Sequence, residues 1–157
     1  ENFLAQYQYL TLKKNIDFKF KTNIKNDTYM NGDWVRITQV MHNLLSNAIK
    51  FTPENGEVSI EINFDDDRLS VEVKDNGIGI PPEAIDRILH PFEQVDSSTT
   101  KNYGGTGLGL TISNTLVTMM HGEMEIESEE GEGSIFRFDI ELKKIEKKTS
   151  RCSHNQD

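Results

Sequence analysis

The sequence predicts a two-layer α/β sandwich, a mixed sheet of about five strands with helices on one face. Three observations lead there. Apolar residues alternate with polar ones at Val58, Ile60, Ile62 and Phe64, and again at Leu69, Val71 and Val73, the period of two expected of a sheet with one covered face. Ile37, Val40, Met41, Leu44 and Ala48 instead recur at spacings of three and four, which marks a helix with one buried stripe. Alternation then returns at residues 124–127 and 135–140, after a second helical stretch. The 157 residues suffice for one domain with a proper core and are too few for two.

Residues 1–15 carry Phe3, Leu4, Tyr7, Leu10 and Leu12 among polar residues, a helical pattern that starts without a capping residue. Residues 16–21 alternate as a strand, and a second short strand is expected near Tyr29. Asn31-Gly32-Asp33 is turn chemistry, with Asp33 placed to cap a helix running to about Phe51. Pro53 biases Thr52 away from helical backbone and ends it. Asp65-Asp66-Asp67 joins the two alternating runs as a hairpin, and is read as a solvated turn rather than a metal cluster.

A short helix is expected over residues 81–89. Residues 92–105 are polar, glycine-bearing and patternless, and a loop of that length is usually functional or disordered. Helix resumes over residues 106–120 with Leu108, Ile112, Leu116 and Met119 as the expected inner stripe. Gly131-Glu132-Gly133 separates two closing strands. Beyond Leu142 the chain reads as charged and featureless, a solvated tail. The expected domain therefore covers residues 16–142, between a helical or linker segment at 1–15 and a charged tail or linker at 143–157.

A formal charge of -9 repels phosphate backbones and disfavours nucleic acid as a partner. An anionic nucleotide would need local cations or a metal. No apolar run approaches the length of a membrane span and no signal-peptide pattern is visible, so no direct membrane contact is expected and the piece is expected to be soluble. The single Cys152 excludes an internal disulfide and a cysteine-cluster metal site, and fits a reducing compartment.

Within the first long helix, Asn43, Asn47 and Lys50 share a face other than the apolar stripe. Alone they would be ordinary solvated positions. An amide oxygen is nonetheless a hard neutral ligand suited to Mg²⁺, and an ammonium one turn on suits a phosphate held by that ion. Asp75 precedes Gly77 and Gly79 at a strand end, where its carboxylate can accept from an amine. Glycines at 104, 105, 107 and 109 precede or open a helix, where bare amides and the helix dipole can hold phosphate oxygens. Leu110 stands where a dinucleotide fingerprint needs its third glycine, and no Gly-Lys-Ser/Thr follows, so neither of those nucleotide loops is present.

Four ordered blocks, His42 to Thr52, Asp75 to Ile80, His90 to Gln94 and Gly104 to Leu110, resemble the N, G1, F and G2 boxes of the catalytic domain of sensor histidine kinases, a branch of the GHKL ATPases. The resemblance covers about residues 33–142 and implies the Bergerat form of the sandwich. It implies ATP and Mg²⁺ as cofactors, with Asn47 as the metal ligand and Lys50 on a phosphate. Asp75 would read the adenine amine beside Phe51 and Ile80, with Gly77 and Gly79 letting main chain approach the base, and ATP preferred to GTP. Gly105, Thr106, Gly107, Leu108, Gly109 and Leu110, with Lys101 before them, would form a lid over ATP that Phe92 positions.

Asn43 stands where hydrolytic relatives hold a glutamate that activates water. An amide is no general base at neutral pH, so slow hydrolysis and transfer to another nucleophile are implied. Asn43, Asn47 and Lys50 are the expected catalytic residues. Glu93-Gln94 occupies the place of an arginine that contacts the γ-phosphate in many relatives, with Lys101 or a cation of the partner as candidate substitutes.

None of His42, His90, His121 and His154 lies in a His-Glu-x-x-x-Pro box. The acceptor histidine is therefore expected upstream, on a helical dimerisation and phosphoacceptor domain whose last helix ends in residues 1–15. A dimeric parent, a downstream response regulator or receiver domain, and a cytoplasmic location under a membrane-anchored sensor follow from the resemblance. A GHKL hydrolase, a serine-directed kinase and a regulatory module without transfer activity remain the alternatives.

Overall fold

The computed structural model describes residues 3–25, 29–89 and 107–145. In chain order its elements are α1 (Ala5–Lys13), β1 (Asp17–Thr22), β2 (Tyr29–Asn31), α2 (Trp34–Phe51), β3 (Glu57–Asp65), β4 (Arg68–Asp75), α3 (Pro82–Leu89), α4 (Gly107–Met119), β5 (Glu123–Glu129), β6 (Gly133–Glu141) and β7 (Lys143–Ile145). Five strands form a mixed sheet in the order β1-β3-β4-β6-β5. Only β1 and β3 pair in parallel within it, across the crossover that contains α2.

One face of the sheet is apolar. Ile60, Val73, Phe136 and Ile126 form one row across it, and Ile62, Val71, Phe138 and Met124 the next. Against this face α2 sets Ile37, Val40, Met41, Leu44, Leu45, Ala48 and Ile49, all buried, as its spacing predicts. Asp33 caps that helix by accepting from Arg36 N–H at 3.2 Å. At the other end Thr52 takes extended backbone before Pro53, and its hydroxyl donates to Ala48 O at 2.6 Å. The ammonium of Lys14 donates to the carbonyls of Ile49 and Lys50 at 3.0 and 3.2 Å, partnering acceptors at the negative end of the helix dipole.

The opposite face is polar. Lys21, Glu61, Glu72, Arg137 and Glu125 form one row across all five strands, and Arg137 bridges Glu72 at 2.7 Å and Glu127 at 3.0 Å. The β3–β4 turn puts Asp66 and Asp67 at φ 50° and 59°, the left-handed pair of a tight hairpin turn. The acidic triplet is thus turn chemistry, as expected.

Three expectations need correction. The inner stripe of α4 is Leu110, Ser113 and Val117, all buried, whereas Ile112 and Met119 are 43% and 54% exposed. Thr111, Asn114, Thr115 and Thr118 mark one polar face, but apolar residues flank it on both sides, so periodicity gives a weak phase, and the residue that would have fixed it is a buried serine. Residues 143–145, read as featureless tail, form β7 and pair with β2. Finally, Phe20 belongs to the alternating run of β1 yet is 44% exposed, because β1 is an edge strand that the helical layer covers incompletely. Residues 5–13 form α1, whose Tyr7 is fully buried in the common core. Burial pushes the Tyr7 phenol up to about 12, and its hydroxyl is hydrogen-bonded to His42 Nδ1 on α2.

Candidate functional site

Three segments meet at one crevice. Asn47 and Phe51 come from the last turns of α2, Asp75, Gly79 and Ile80 from the end of β4 and the turn beyond it, and Leu110 from α4, with Ser134 and Phe136 of β6 behind them. Its volume is about 20 Å³, room for about one water. A flat base therefore enters only by moving an apolar wall such as Phe51, Ile80 or Leu110. A larger depression, about 230 Å³, opens on the polar face of the sheet around Glu61, Glu72, Glu125 and Arg137. None of the expected site residues lines it, so size is a poor guide here and the chemistry points to the small crevice.

Asp75 is 6% exposed and accepts from Gly77 N–H at 2.9 Å. Burial raises its carboxyl above the ordinary range, while the backbone N–H groups of Gly77 and Ser134 pull it down. The result is a fixed, poorly solvated acceptor at a strand end. Such a group favours a donor such as an amine and rejects a carbonyl.

The turn after Asp75 is wedged between two stretches of main chain. Ile78 N–H donates to Phe51 O at 3.2 Å, and a Cβ on Gly77 would stand 2.4 Å from that oxygen. Gly79 has φ +75°, and its Cβ would stand 2.1 Å from Glu129 O. The family resemblance implies glycines that let main chain approach a base. In the structure the first thing a side chain would strike at either position is protein backbone, so these glycines are required by packing.

Along α2 the three polar residues face different surroundings. The amide nitrogen of Asn43 donates to Gly109 O at 3.2 Å and Ser113 Oγ at 3.0 Å, and Ser113 donates in turn to Gly109 O at 2.8 Å. Asn43 thus ties α2 to the first turns of α4. Asn47 lines the crevice. Lys50 is exposed, with its ammonium 5.4 Å above the Phe51 ring, within cation–π range.

Gly107 and Leu108 open α4, and a Cβ on Gly109 would meet nothing within 4 Å. Phe92, Gln94, Lys101, Gly105 and Thr106 lie outside the described residues. Ser113, Ser128, Ser134 and Phe136 were not expected at the site. Three of them are serines, and the signal that could have found them is a polar residue standing at an inward position of its helix or strand.

Among the described residues no three His, Cys, Asp or Glu side chains gather into a metal site. At the crevice wall, Asn47 brings an amide oxygen, a hard neutral donor of the kind Mg²⁺ takes.

Comparison with known proteins places the chain in a family. Residues 32–144 match the family of histidine kinase-, DNA gyrase B-, and HSP90-like ATPases. The autoinducer 2 sensor kinase/phosphatase LuxQ of Vibrio vulnificus is 40% identical over 148 residues, covering 89% of this chain and 17% of LuxQ. The sensor histidine kinase RcsC of Escherichia coli is 46% identical over 113 residues, 72% of this chain and 12% of RcsC. The chain therefore spans less than a fifth of these relatives.

Among solved structures, the catalytic domain of the histidine kinase ThkA superposes with a TM-score of 0.71 at 33% identity, covering 89% of this chain and 88% of that one. Full-length ShkA in complex with AMPPNP gives 0.70 at 30% identity, over 92% of this chain and 30% of that one. ThkA in complex with the response regulator TrrA gives 0.68 at 31%, over 89% and 38%. This chain belongs to the histidine kinase-, DNA gyrase B- and HSP90-like ATPases, and within them to the catalytic and ATP-binding domains of sensor histidine kinases.

Proposed function

We propose that the chain binds Mg-ATP in the crevice and donates the γ-phosphoryl to a histidine on an adjoining helical dimerisation domain, in a two-component signalling protein. The observation that carries this reading is the buried Asp75 carboxylate, an acceptor fixed by main chain in the wall of the crevice, as recognition of a base amine requires. Phe51, Ile80 and Leu110 supply apolar walls for the ring. Lys50 stands at the α2 edge one turn beyond Asn47, where it neutralises phosphate charge. Asn47 would hold Mg²⁺, which supplies charge neutralisation across the phosphate oxygens as the γ-phosphoryl leaves.

Asn43 supports transfer over hydrolysis. An amide is no general base at neutral pH, and its N–H donors are engaged by Gly109 O and Ser113 Oγ, so Asn43 binds and positions rather than deprotonating a water. What remains for the domain is positioning and electrostatic stabilisation.

The response regulator bound to ThkA in its solved complex supports a downstream receiver as partner, and residues 1–15, as the end of the dimerisation helix or a linker, would join the two domains in a dimeric parent. We place the domain in the cytoplasm, where ATP and Mg²⁺ are supplied. No helix among the described residues is long and apolar enough to cross a membrane, so a membrane-anchored parent would hold its place through other segments.

The γ-phosphate of labelled Mg-ATP tests the reading, followed with this chain alone and with the histidine-bearing helical domain of its parent. Acid-labile label on that domain is expected. Rapid release of free phosphate by the chain alone would identify a hydrolase, and bound nucleotide without transfer a regulatory module. Asn47→Ala should abolish Mg-dependent binding, and wild-type affinity in that variant would remove Asn47 from the site.

A further inference from the structure

Ser128 lies on β5, outside the residues expected at the site, and its hydroxyl joins three segments. It accepts from Ile80 N–H at 2.7 Å. It stands 2.9 Å from Gly133 O and 2.8 Å from Ser134 Oγ. A hydroxyl has one proton to give. The Gly133 carbonyl can only accept, so the Ser128 proton goes there, and the Ser134 hydroxyl must then donate its own proton to Ser128. Ser134 is 5% exposed and lines the crevice beside Asp75. With its proton committed, it offers the crevice lone pairs only.

The same region is braced by main chain. Gly131 N–H donates to Ile78 O at 2.8 Å, and a Cβ on Gly133 would stand 2.1 Å from Asp75 O. The β5–β6 turn is therefore the back wall of the Asp75 turn, and the Ser128 hydroxyl bonds to both, to Ile80 N–H and to Gly133 O.

We propose that Ser128 is a positioning residue for base selection: by taking the Ser134 proton and holding Ile80 N–H, it makes the inner end of the crevice acceptor-only, suited to the amine edge of adenine and hostile to a 6-oxo purine. The proposal rests on the crevice being the base site. Removing the Ser128 hydroxyl frees the Ser134 proton to rotate toward the crevice. A carbonyl on the base then finds a donor that the native arrangement withholds.

The test is calorimetric binding of Mg-ADP and Mg-IDP to the 157-residue chain, with the wild type, Ser128→Ala, Ser128→Thr, Ser134→Ala and the double Ser128→Ala/Ser134→Ala variant. Ser128→Ala should lower the ADP over IDP preference about tenfold, the scale of one hydrogen-bond partner. Ser128→Thr, which keeps the hydroxyl, should retain the preference. Adding Ser134→Ala should cancel most of the loss, because no rotatable proton remains. A Ser128→Ala variant that weakens both nucleotides equally would overturn the proposal and leave Ser128 a purely structural brace. Failure of the wild type to prefer ADP at all would instead overturn the reading of the crevice as an adenine site.

Discussion

The two ends of the crevice are fastened in different ways. At the Asp75 end, main chain meets main chain: the turn from Asp75 to Ile80 is pinned between Phe51 O and Glu129 O with no space for a Cβ at Gly77 or Gly79. At the α4 end, two helices are joined by one amide, Asn43 to Gly109 O and Ser113, over the apolar side chains Leu110 and Val117. The first arrangement fixes a shape to a fraction of an ångström. The second fixes a distance between helices and leaves the surface of α4 free to vary. On the proposed reading, the end that selects a base would need the former, whereas the end that serves phosphates, whose geometry changes during transfer, would tolerate the latter.

The largest effect is expected from the core beneath the α4 end. Leu110→Ala should destabilise the fold by about 2–5 kcal/mol, and Ile112→Ala by no more than about 0.5 kcal/mol, read by urea unfolding. Equal losses would show that the inner face of α4 is misassigned.

The glycines sharpen the contrast. Gly79→Ala introduces a Cβ 2.1 Å from a carbonyl oxygen at φ +75° and should cost about 2–4 kcal/mol. Gly109→Ala, inside a helix with open space beside it, should stabilise by about 0.5–1 kcal/mol. Differential scanning calorimetry of the two variants would separate packing from backbone freedom, and a destabilised Gly109→Ala would break the comparison.

Asn43→Ala leaves Ser113 with one partner fewer and should cost about 1–2 kcal/mol. In a double-mutant cycle with Ser113→Ala, the two losses should sum to clearly more than the loss in the double variant. Additive losses would mean that the amide link does not couple the helices.

The smallest effect concerns the charge of Asp75. Its folded-state value is raised, so the native state binds its proton more tightly than the unfolded chain. That contribution is present below the ordinary carboxylate range and is lost as pH rises through the raised value. Asp75→Asn should remove this decline, leaving the fold at neutral pH as stable as the wild type or slightly more so, while adenine binding is lost. Unfolding profiles across that pH range, compared between the two proteins, check the slope.

Much of this was legible in the sequence, and the parts that were not share a cause. The α2 stripe was clear because its apolar residues are set off by Asn43, Asn47 and Lys50 on another face, with Asp33 and Pro53 marking its ends. The β3–β4 hairpin was clear because its two alternating runs are separated by an acidic turn. In contrast, α4 carries apolar residues on both sides of its threonine face, and its inward Ser113 looks like surface until Asn43 is placed against it. The serines at 128 and 134 are hidden for the same reason: a buried hydroxyl is recognisable only from its partners, and these lie 48 and 6 residues away along the chain. β7 was missed because a strand of three residues rich in lysine carries no period of its own and exists through its pairing with β2.

The order of the strands has a consequence for how this site can change. β3 with β4 and β5 with β6 are local hairpins, and β4 is joined directly to β6. Residues 76–122 thus leave the sheet at Asp75 and rejoin it at β5, one strand beyond the β6 partner of Asp75. The Asp75 turn, α3, the glycine-rich stretch and α4 all lie on this single excursion. Closing a loop costs entropy only logarithmically in its length, so lengthening this one by a fifth adds about 0.2 kcal/mol. By chain entropy alone, this excursion can change in length at little cost while the sheet that holds Asp75 stays as it is.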